Sequence, residues 1–249
     1  MQQYIVGNWK MNGTRAEATG LAKGFTQKLL EADRPLPYII LCPSHPYLDL
    51  VHALIKNTPI LLGAQDCHHK EHGAFTGDVC AQQLVDVGVH YVLLGHSERR
   101  HGHLESDTLV QNKVKTALTQ KLHTIVCVGE NKEERTSGKA IATVISQIEN
   151  SLPSDAKAEL LLIAYEPVWA IGTGLTPTLE DIERMHGAIR HTLSQRFSGG
   201  GVIPILYGGS VTASNAKNIL SLPHVNGVLV GGASLKLDDF WSIIEASTE

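Results

Sequence analysis

The sequence predicts an α/β protein folded as a single closed (β/α)8 barrel. Three observations predict it: eight short runs rich in Ile, Val and Leu recur along the whole chain, each run is continuous rather than alternating, and segments of helical period separate them. Continuous apolar runs are what strands covered on both faces of a parallel sheet show. Eight such units in about 250 residues suit a closed barrel. A doubly wound sheet usually has fewer strands and a G-x-G-x-x-G after the first, and none follows Tyr4 to Val6.

In order, the predicted strands are Tyr4 to Val6, Tyr38 to Leu41, Ile60 to Leu62, Tyr91 to Leu94, Thr124 to Val128, Leu160 to Ala164, Ile203 to Leu206 and Val228 to Val230. Between the fourth and fifth, Val110, Val114, Ala117 and Leu118 share one helical face behind the start signal Ser106-Asp107. After the fifth, Ile141, Val144, Ile145 and Ile148 form a second such face. After the sixth, Thr178 with Asp181 makes a capping-box pattern before Ile182, Met185, Ile189 and Leu193. Ser198 to Gly201 is only a short loop, and no linker or low-complexity tract interrupts the pattern, so one domain is expected over residues 1–249.

Composition narrows the class of function. The chain has 249 residues, 43% of them hydrophobic and 18% charged, enough for a substantial core. A formal net charge of -4 with no long basic run leaves no electrostatic footprint for nucleic acid or an anionic membrane. No stretch approaches the roughly 20 apolar residues of a membrane span, and Met1 to Lys10 lacks the pattern of a signal peptide. A cytoplasmic protein is expected. Cysteines 42, 67, 80 and 127 are too scattered for a disulfide framework, so reduced thiols are expected.

Barrel enzymes build their sites at the carboxyl ends of the strands. There this chain places Asn8 and Lys10, Gln65, His96 and Glu98, Glu130, Glu166, Gly209 and Ser210, and Gly231 and Gly232. Together they supply a base, a hydrogen-bond donor, a fixed cation and glycine-rich backbone, a set suited to proton abstraction beside a carbonyl on a phosphorylated substrate. Taken singly, each has a plainer reading: Glu166 as a strand-end carboxylate, His96 as a rim histidine, Lys10 as a solvated lysine, the glycine pairs as tight turns. Cys127 and Trp9 read as core residues. The run Cys67, His68, His69 and His72 suggests a metal site but lacks paired zinc-ligand spacing, so no metal is assigned.

The motifs themselves go further. Val6-Gly7-Asn8-Trp9-Lys10-Met11-Asn12, Gly63-Ala64-Gln65, Gly73-Ala74-Phe75-Thr76-Gly77 and Leu94-Gly95-His96-Ser97-Glu98-Arg99-Arg100 occur in that order. They are followed by Cys127-Val128-Gly129-Glu130, the segment Ala164 to Gly174, Tyr207-Gly208-Gly209-Ser210-Val211 and Leu229 to Leu235. In these motifs the chain resembles the triosephosphate isomerase family over essentially its whole length. The resemblance implies a TIM barrel that interconverts dihydroxyacetone phosphate and D-glyceraldehyde 3-phosphate through an enediolate, in glycolysis and gluconeogenesis, without metal or cofactor.

Carried onto this sequence, the resemblance implies Glu166 as the base, His96 as a neutral electrophile whose pKa a helix amino terminus lowers, and Lys10 as the cation. Asn8 is implied to hold Lys10, Glu98 to support the site, and Gly172, Ser210, Gly231 and Gly232 to bind phosphate. Pro167, Val168, Trp169, Ala170, Ile171, Gly172, Thr173, Gly174, Leu175 and Thr176 are implied to form a lid. Gln65, Thr76, Asp78 and Arg99 are implied at a homodimer interface. Two departures stand out. Pro177 follows the lid where many relatives have alanine and is expected to alter opening rate rather than chemistry, and Asp78 replaces a glutamate expected to pair with Arg99 across the interface. His101-Gly102-His103 is atypical and reads only as an exposed loop. The competing readings are another phosphate-binding barrel, disfavoured because no late strand carries a Schiff-base lysine, and an inactive barrel binding metal through Cys67, His68, His69 and His72.

Overall fold

Each predicted apolar run becomes a strand, because each has one side against the barrel axis and the other beneath a helix. The structure, a computed structural model, describes residues 3–171 and 176–247. Its strands are β1 (Tyr4–Asn8), β2 (Tyr38–Cys42), β3 (Leu61–Ala64), β4 (Tyr91–Leu94), β5 (His123–Val128), β6 (Leu161–Tyr165), β7 (Ile205–Tyr207) and β8 (Gly227–Val230). They pair in parallel in chain order, and β8 returns to β1 with Val228 opposite Ile5 and Val230 opposite Gly7, closing the barrel.

The helices are α1 (Arg15–Glu31), α2 (Leu48–Ile55), α3 (Ala81–Asp86), α4 (Ser97–Gly102), α5 (Asp107–Thr119), α6 (Lys132–Thr136), α7 (Ala140–Ser151), α8 (Leu179–Arg196), α9 (Ala216–Leu220) and α10 (Leu237–Ala246). No helix among the described residues is long and apolar enough to cross a membrane.

Two apolar layers explain why the strands do not alternate. Val6, Ile40, Leu93, Ile125 and Leu206 pack in one cluster inside the barrel, while Ile5, Ile39, Leu41, Val92 and Val126 join the larger cluster that the helices cover. At the amino-terminal mouth, first-strand residues pair as rings: Tyr4 stacks on Tyr38 and Tyr91 on His123, at 4.9 and 4.8 Å. Ile60 and Ile203 lie outside their expected strands yet remain buried, so their apolarity serves the outer layer rather than the ladder.

Helix starts follow the local signals. Ser106 accepts the Leu109 N–H ahead of α5. Thr178 accepts the Asp181 N–H ahead of α8, but the expected reciprocal half of that box is not the bond Asp181 makes: its carboxylate lies 2.6 Å from Arg135. The predicted faces are borne out, with Val144, Ile148, Met185, Ile189 and Leu193 all buried. His101 and Gly102, expected in a loop, instead form the last turn of α4, with His103 as its C-cap; all three are exposed, and His101 Nδ1 lies 2.8 Å from the Ser97 carbonyl.

One buried polar group in this outer layer has a measurable consequence. His186 on α8 is fully buried against Tyr165; its Nδ1 lies 3.2 Å from the His224 carbonyl and its Nε2 has no partner. Burial lowers its pKa from 6.5 to about 4. Below pH 6.5 the unfolded chain therefore takes up a proton that the folded chain refuses, and stability falls as pH drops toward 4, by about 3 kcal/mol across the window. Urea unfolding between pH 7 and 4 should show a steeper loss for the parent than for His186→Leu; equal slopes would mean another group sets the dependence.

Candidate active site

The carboxyl ends of β1, β4, β6, β7 and β8 converge on one cavity of about 350 Å3. Asn8, Lys10, His96, Glu166, Ser210, Gly231 and Gly232 all line it, so the structure joins residues spread from position 8 to position 232. Gly172 lies outside the described residues. A larger cavity, about 470 Å3, lies at the amino-terminal side against α1, walled by Leu29, Leu36, Pro37 and Tyr38. It holds no facing acid and base, so the chemistry is assigned to the smaller one.

Glu166 follows β6 directly and is 2% exposed. Its Oε1 lies 2.8 Å from His96 Nε2, and its Oε2 accepts the Ser97 backbone N–H at 2.9 Å. His96 is the N-cap of α4, and its Nδ1 accepts the Glu98 N–H at 3.2 Å. That bond requires an unprotonated Nδ1, which places the ring proton on Nε2, facing Glu166. The local geometry of a neutral imidazole donating from Nε2 thus comes from the helix amino terminus.

The titration directions reflect how close the two groups are. Burial alone would raise Glu166, but His96, the Ser97 amide and Lys10 outweigh it and hold the carboxyl below its ordinary range. Burial alone would lower His96, but the Glu166 carboxylate, helped by Glu98, outweighs it and the net direction is upward. With Glu166 seated against the ring, its carboxylate works against the lowering that the family resemblance implies.

Lys10 carries the cation into the cavity from an unusual backbone, a non-glycine residue at φ 54. A left-handed conformation costs such a residue about 1 to 2 kcal/mol, and polar contacts hold it there. Its N–H donates to Asn8 Oδ1 at 3.0 Å, as expected of Asn8, and its side chain pairs with Glu98. Its carbonyl accepts from Ser44 Oγ and Gln65 Nε2, each at 2.8 Å. Gln65, expected at an interface, is thus also part of the Lys10 support.

Opposite this cation, Gly231 admits the lysine stem because a Cβ there would stand 3.2 Å from Lys10 Cε. Gly231, Gly232 and Ser210 present small residues in tight turns where backbone amides can approach an anion. Lys236 and Asp239 also line this side. Sequence reasoning missed Ser44, Ser97 and Lys236 as contributors; Ser97 sat inside a quoted motif, whereas Ser44 and Lys236 carried no signal of their own.

The described part of the expected lid is Pro167 to Ile171 and Thr176. Thr173, Gly174 and Leu175, like Gly172, fall outside the described residues. Val168–Ala170 forms a short turn tied to the fully buried Glu130, whose Oε1 accepts from Trp169 Nε1 at 2.8 Å and from Tyr165 Oη at 3.1 Å. Trp9 and Cys127 are buried core residues as expected.

Around the rim, Arg99 is held within its own chain, with Nη2 2.9 Å from Asp66 and Nε 2.7 Å from Glu105. Asp78 lies 3.6 Å from His68, and Thr76 is exposed beside it. The His68 ring meets those of His69 and Phe75 at a tilt, with centroids 4.3 and 4.1 Å apart, while Cys67 is buried. Among the described residues no three His, Cys, Asp or Glu side chains are grouped to hold a metal ion.

Comparison with known proteins identifies the family. A family model described as triosephosphate isomerase matches residues 3–247. Triosephosphate isomerase of Rhizobium meliloti (strain 1021) is 47% identical, over 100% of this chain and 97% of its own length. That of Acidiphilium cryptum (strain JF-5) is 46% identical over 99% of each. Among solved structures, the crystal structure of triosephosphate isomerase from Bartonella henselae matches with a TM-score of 0.91 and 40% identity, over 100% of both chains.

The Glu166–His96 contact is directly testable. In a Glu166→Gln protein the ring loses the charge that raises it, while burial and Lys10 remain, so the His96 pKa read by NMR titration should fall below that of the parent. An unchanged titration would mean that the ring owes nothing to Glu166.

Proposed function

The chain belongs to the triosephosphate isomerase family, and from that premise we propose which of its residues carry out the reaction. It is an isomerase that interconverts dihydroxyacetone phosphate and D-glyceraldehyde 3-phosphate. The observation that carries the assignment is a carboxylate facing an imidazole N–H at 2.8 Å, in the same cavity as a lysine and glycine-rich turns.

Glu166 is the base. Both its oxygens are occupied, by His96 and by the Ser97 amide, so it must release at least one to reach a substrate carbon. A substrate carbonyl oxygen that accepts the His96 Nε2–H takes the place of Glu166 there. The freed carboxylate then removes a proton from the carbon beside the carbonyl, and the electron pair moves onto the carbonyl oxygen as an enediolate. A proton also passes from the neighbouring hydroxyl to the former carbonyl oxygen, for which the His96 Nε2 is placed, and return of the first proton to the neighbouring carbon then completes the isomerisation. Hydrogen moves between two carbons of one molecule with no net oxidation, so the reaction asks for no cofactor.

His96 is the electrophile that stabilises charge on oxygen, and parting it from Glu166 removes the main influence that raises its pKa. Lys10 counters the phosphate and the developing enediolate, with Asn8 holding its backbone and Glu98 its side chain. Ser210, Gly231 and Gly232 bind the phosphate through small residues and main-chain amides, and Gly172 joins them on the family resemblance alone. A local site of this kind supplies anion affinity to a chain of net charge -4. Pro167 to Thr176 is the lid that keeps water from the enediolate, with the Trp169–Glu130 bond as an anchor and Pro177, which is buried, fixing a φ at its far end.

The reading extends to one catalytic domain acting in glycolysis and gluconeogenesis in the cytoplasm, and to a homodimer. Exposed apolar side chains support the dimer: Met11, next to Lys10, is 94% exposed, Leu104 84% and Phe75 41%. Gln65, Thr76, Asp78 and Arg99 border the same rim. Arg99 already meets two carboxylates in its own chain, so a bond to Asp78 of a second copy would add to that network rather than create it. Nucleic acid and membrane are not partners in this reading.

With dihydroxyacetone phosphate and no added metal, Glu166→Gln should lower kcat by about 100- to 10,000-fold. A variant within threefold of the parent would remove Glu166 from the role of base. Sedimentation should give twice the 27.0 kDa chain mass, and charging the exposed apolar rim with Met11→Glu should shift it toward one copy. A parent that sediments as a single chain at micromolar concentration would end the dimer reading.

A further inference from the structure

Ser44 belongs to no motif, yet it touches the residue that carries the site's cation. It follows β2 and stands at the N-cap of the short turn His45–Tyr47, where a serine hydroxyl ordinarily bonds a backbone amide of its own turn. Here the hydroxyl makes no cap bond. It crosses instead to the loop after β1 and donates to the Lys10 carbonyl at 2.8 Å.

That carbonyl is the point at which the left-handed Lys10 backbone is held. Gln65 Nε2 donates to it at 2.8 Å and also to the Cys42 carbonyl at 3.0 Å, while the Lys10 N–H is fixed by Asn8 Oδ1. Asn12 Nδ2 holds the preceding carbonyl, that of Trp9, at 2.8 Å. Both acceptor positions of the Lys10 carbonyl are thus filled, one from the end of β2 and one from the end of β3. Without the hydroxyl, one position is empty and the peptide after Lys10 can relax toward the ordinary φ region. The side chain would then leave the line that carries it past Gly231 into the cavity.

We infer that Ser44 is a positioning residue for Lys10, acting through the Lys10 carbonyl to keep the ammonium at the anion site. The inference rests on the proposal that Lys10 binds the phosphorylated substrate, and it names a second residue that this binding requires.

The test uses the full-length protein with dihydroxyacetone phosphate as substrate and inorganic phosphate as competing anion. Ser44→Ala should raise KM and the inhibition constant of inorganic phosphate by about 3- to 10-fold, the range of one neutral hydrogen bond, with kcat changing less. Ser44→Thr, which keeps the hydroxyl, should restore most of both. In a Lys10→Met background, Ser44→Ala should change neither constant further, because the side chain being positioned is gone. Constants for Ser44→Ala equal to those of the parent would overturn the inference, as would equal losses in Ser44→Ala and Ser44→Thr. An undiminished effect of Ser44→Ala in the Lys10→Met background would overturn it too, since the hydroxyl would then act through another group. Parent-like constants in Lys10→Met alone would instead remove Lys10 from anion binding, a failure of the reading beneath and distinguishable from these.

Discussion

Closure of the barrel by β1 against β8 is the constraint on which the site depends. Lys10 follows the first strand and Gly231 the last, more than two hundred residues apart, and they meet because Gly7 pairs with Val230. A sheet left open between those strands would keep every helix cap and every strand-end residue, yet the cation would have no anion-binding backbone beside it. The same closure sets the size of the cavity, since parallel strands in a closed barrel all turn their carboxyl ends to one mouth.

Within that ring the chemistry depends on groups being partly, not fully, satisfied. Glu166 is buried and yet ionised because His96, the Ser97 amide and Lys10 together outweigh the cost of burial. The amide comes from the amino terminus of α4, where backbone N–H groups lack helical partners. One short helix therefore serves both partners: the Glu98 N–H sets the His96 tautomer, and the Ser97 N–H holds the carboxylate. A substrate that takes the place of either contact would shift the pKa of the other, which couples binding to the titration of Glu166 in the proposed mechanism.

The backbone at Lys10 shows where the fold gives up local stability for function. A left-handed lysine is disfavoured, and here it is held by side chains from β1, from the turn after β2 and from the end of β3. Strain held by its surroundings in this way is characteristic of groups whose direction matters more than their local energy. Glu130 has a comparable part after β5, tying Tyr165 and the turn at Trp169 to one carboxylate oxygen.

Much of this was legible in the chain itself. Continuous apolar runs such as Tyr91–Leu94 were readable as strands because burial on both faces demands apolarity at every position, and the helix starts at Ser106 and Thr178 because caps are local. Motifs around Lys10, His96 and Glu166 named the principal groups because their types and order carry the family resemblance. What the sequence alone did not determine were relations between distant segments: that Arg135 takes the Asp181 carboxylate, that Glu166 seats its carboxylate against the His96 ring, and that Ser44 and Gln65 meet on one carbonyl. Local signals report propensity and burial, whereas these depend on which side chains the closed barrel brings within hydrogen-bonding distance, and only the tertiary structure decides that.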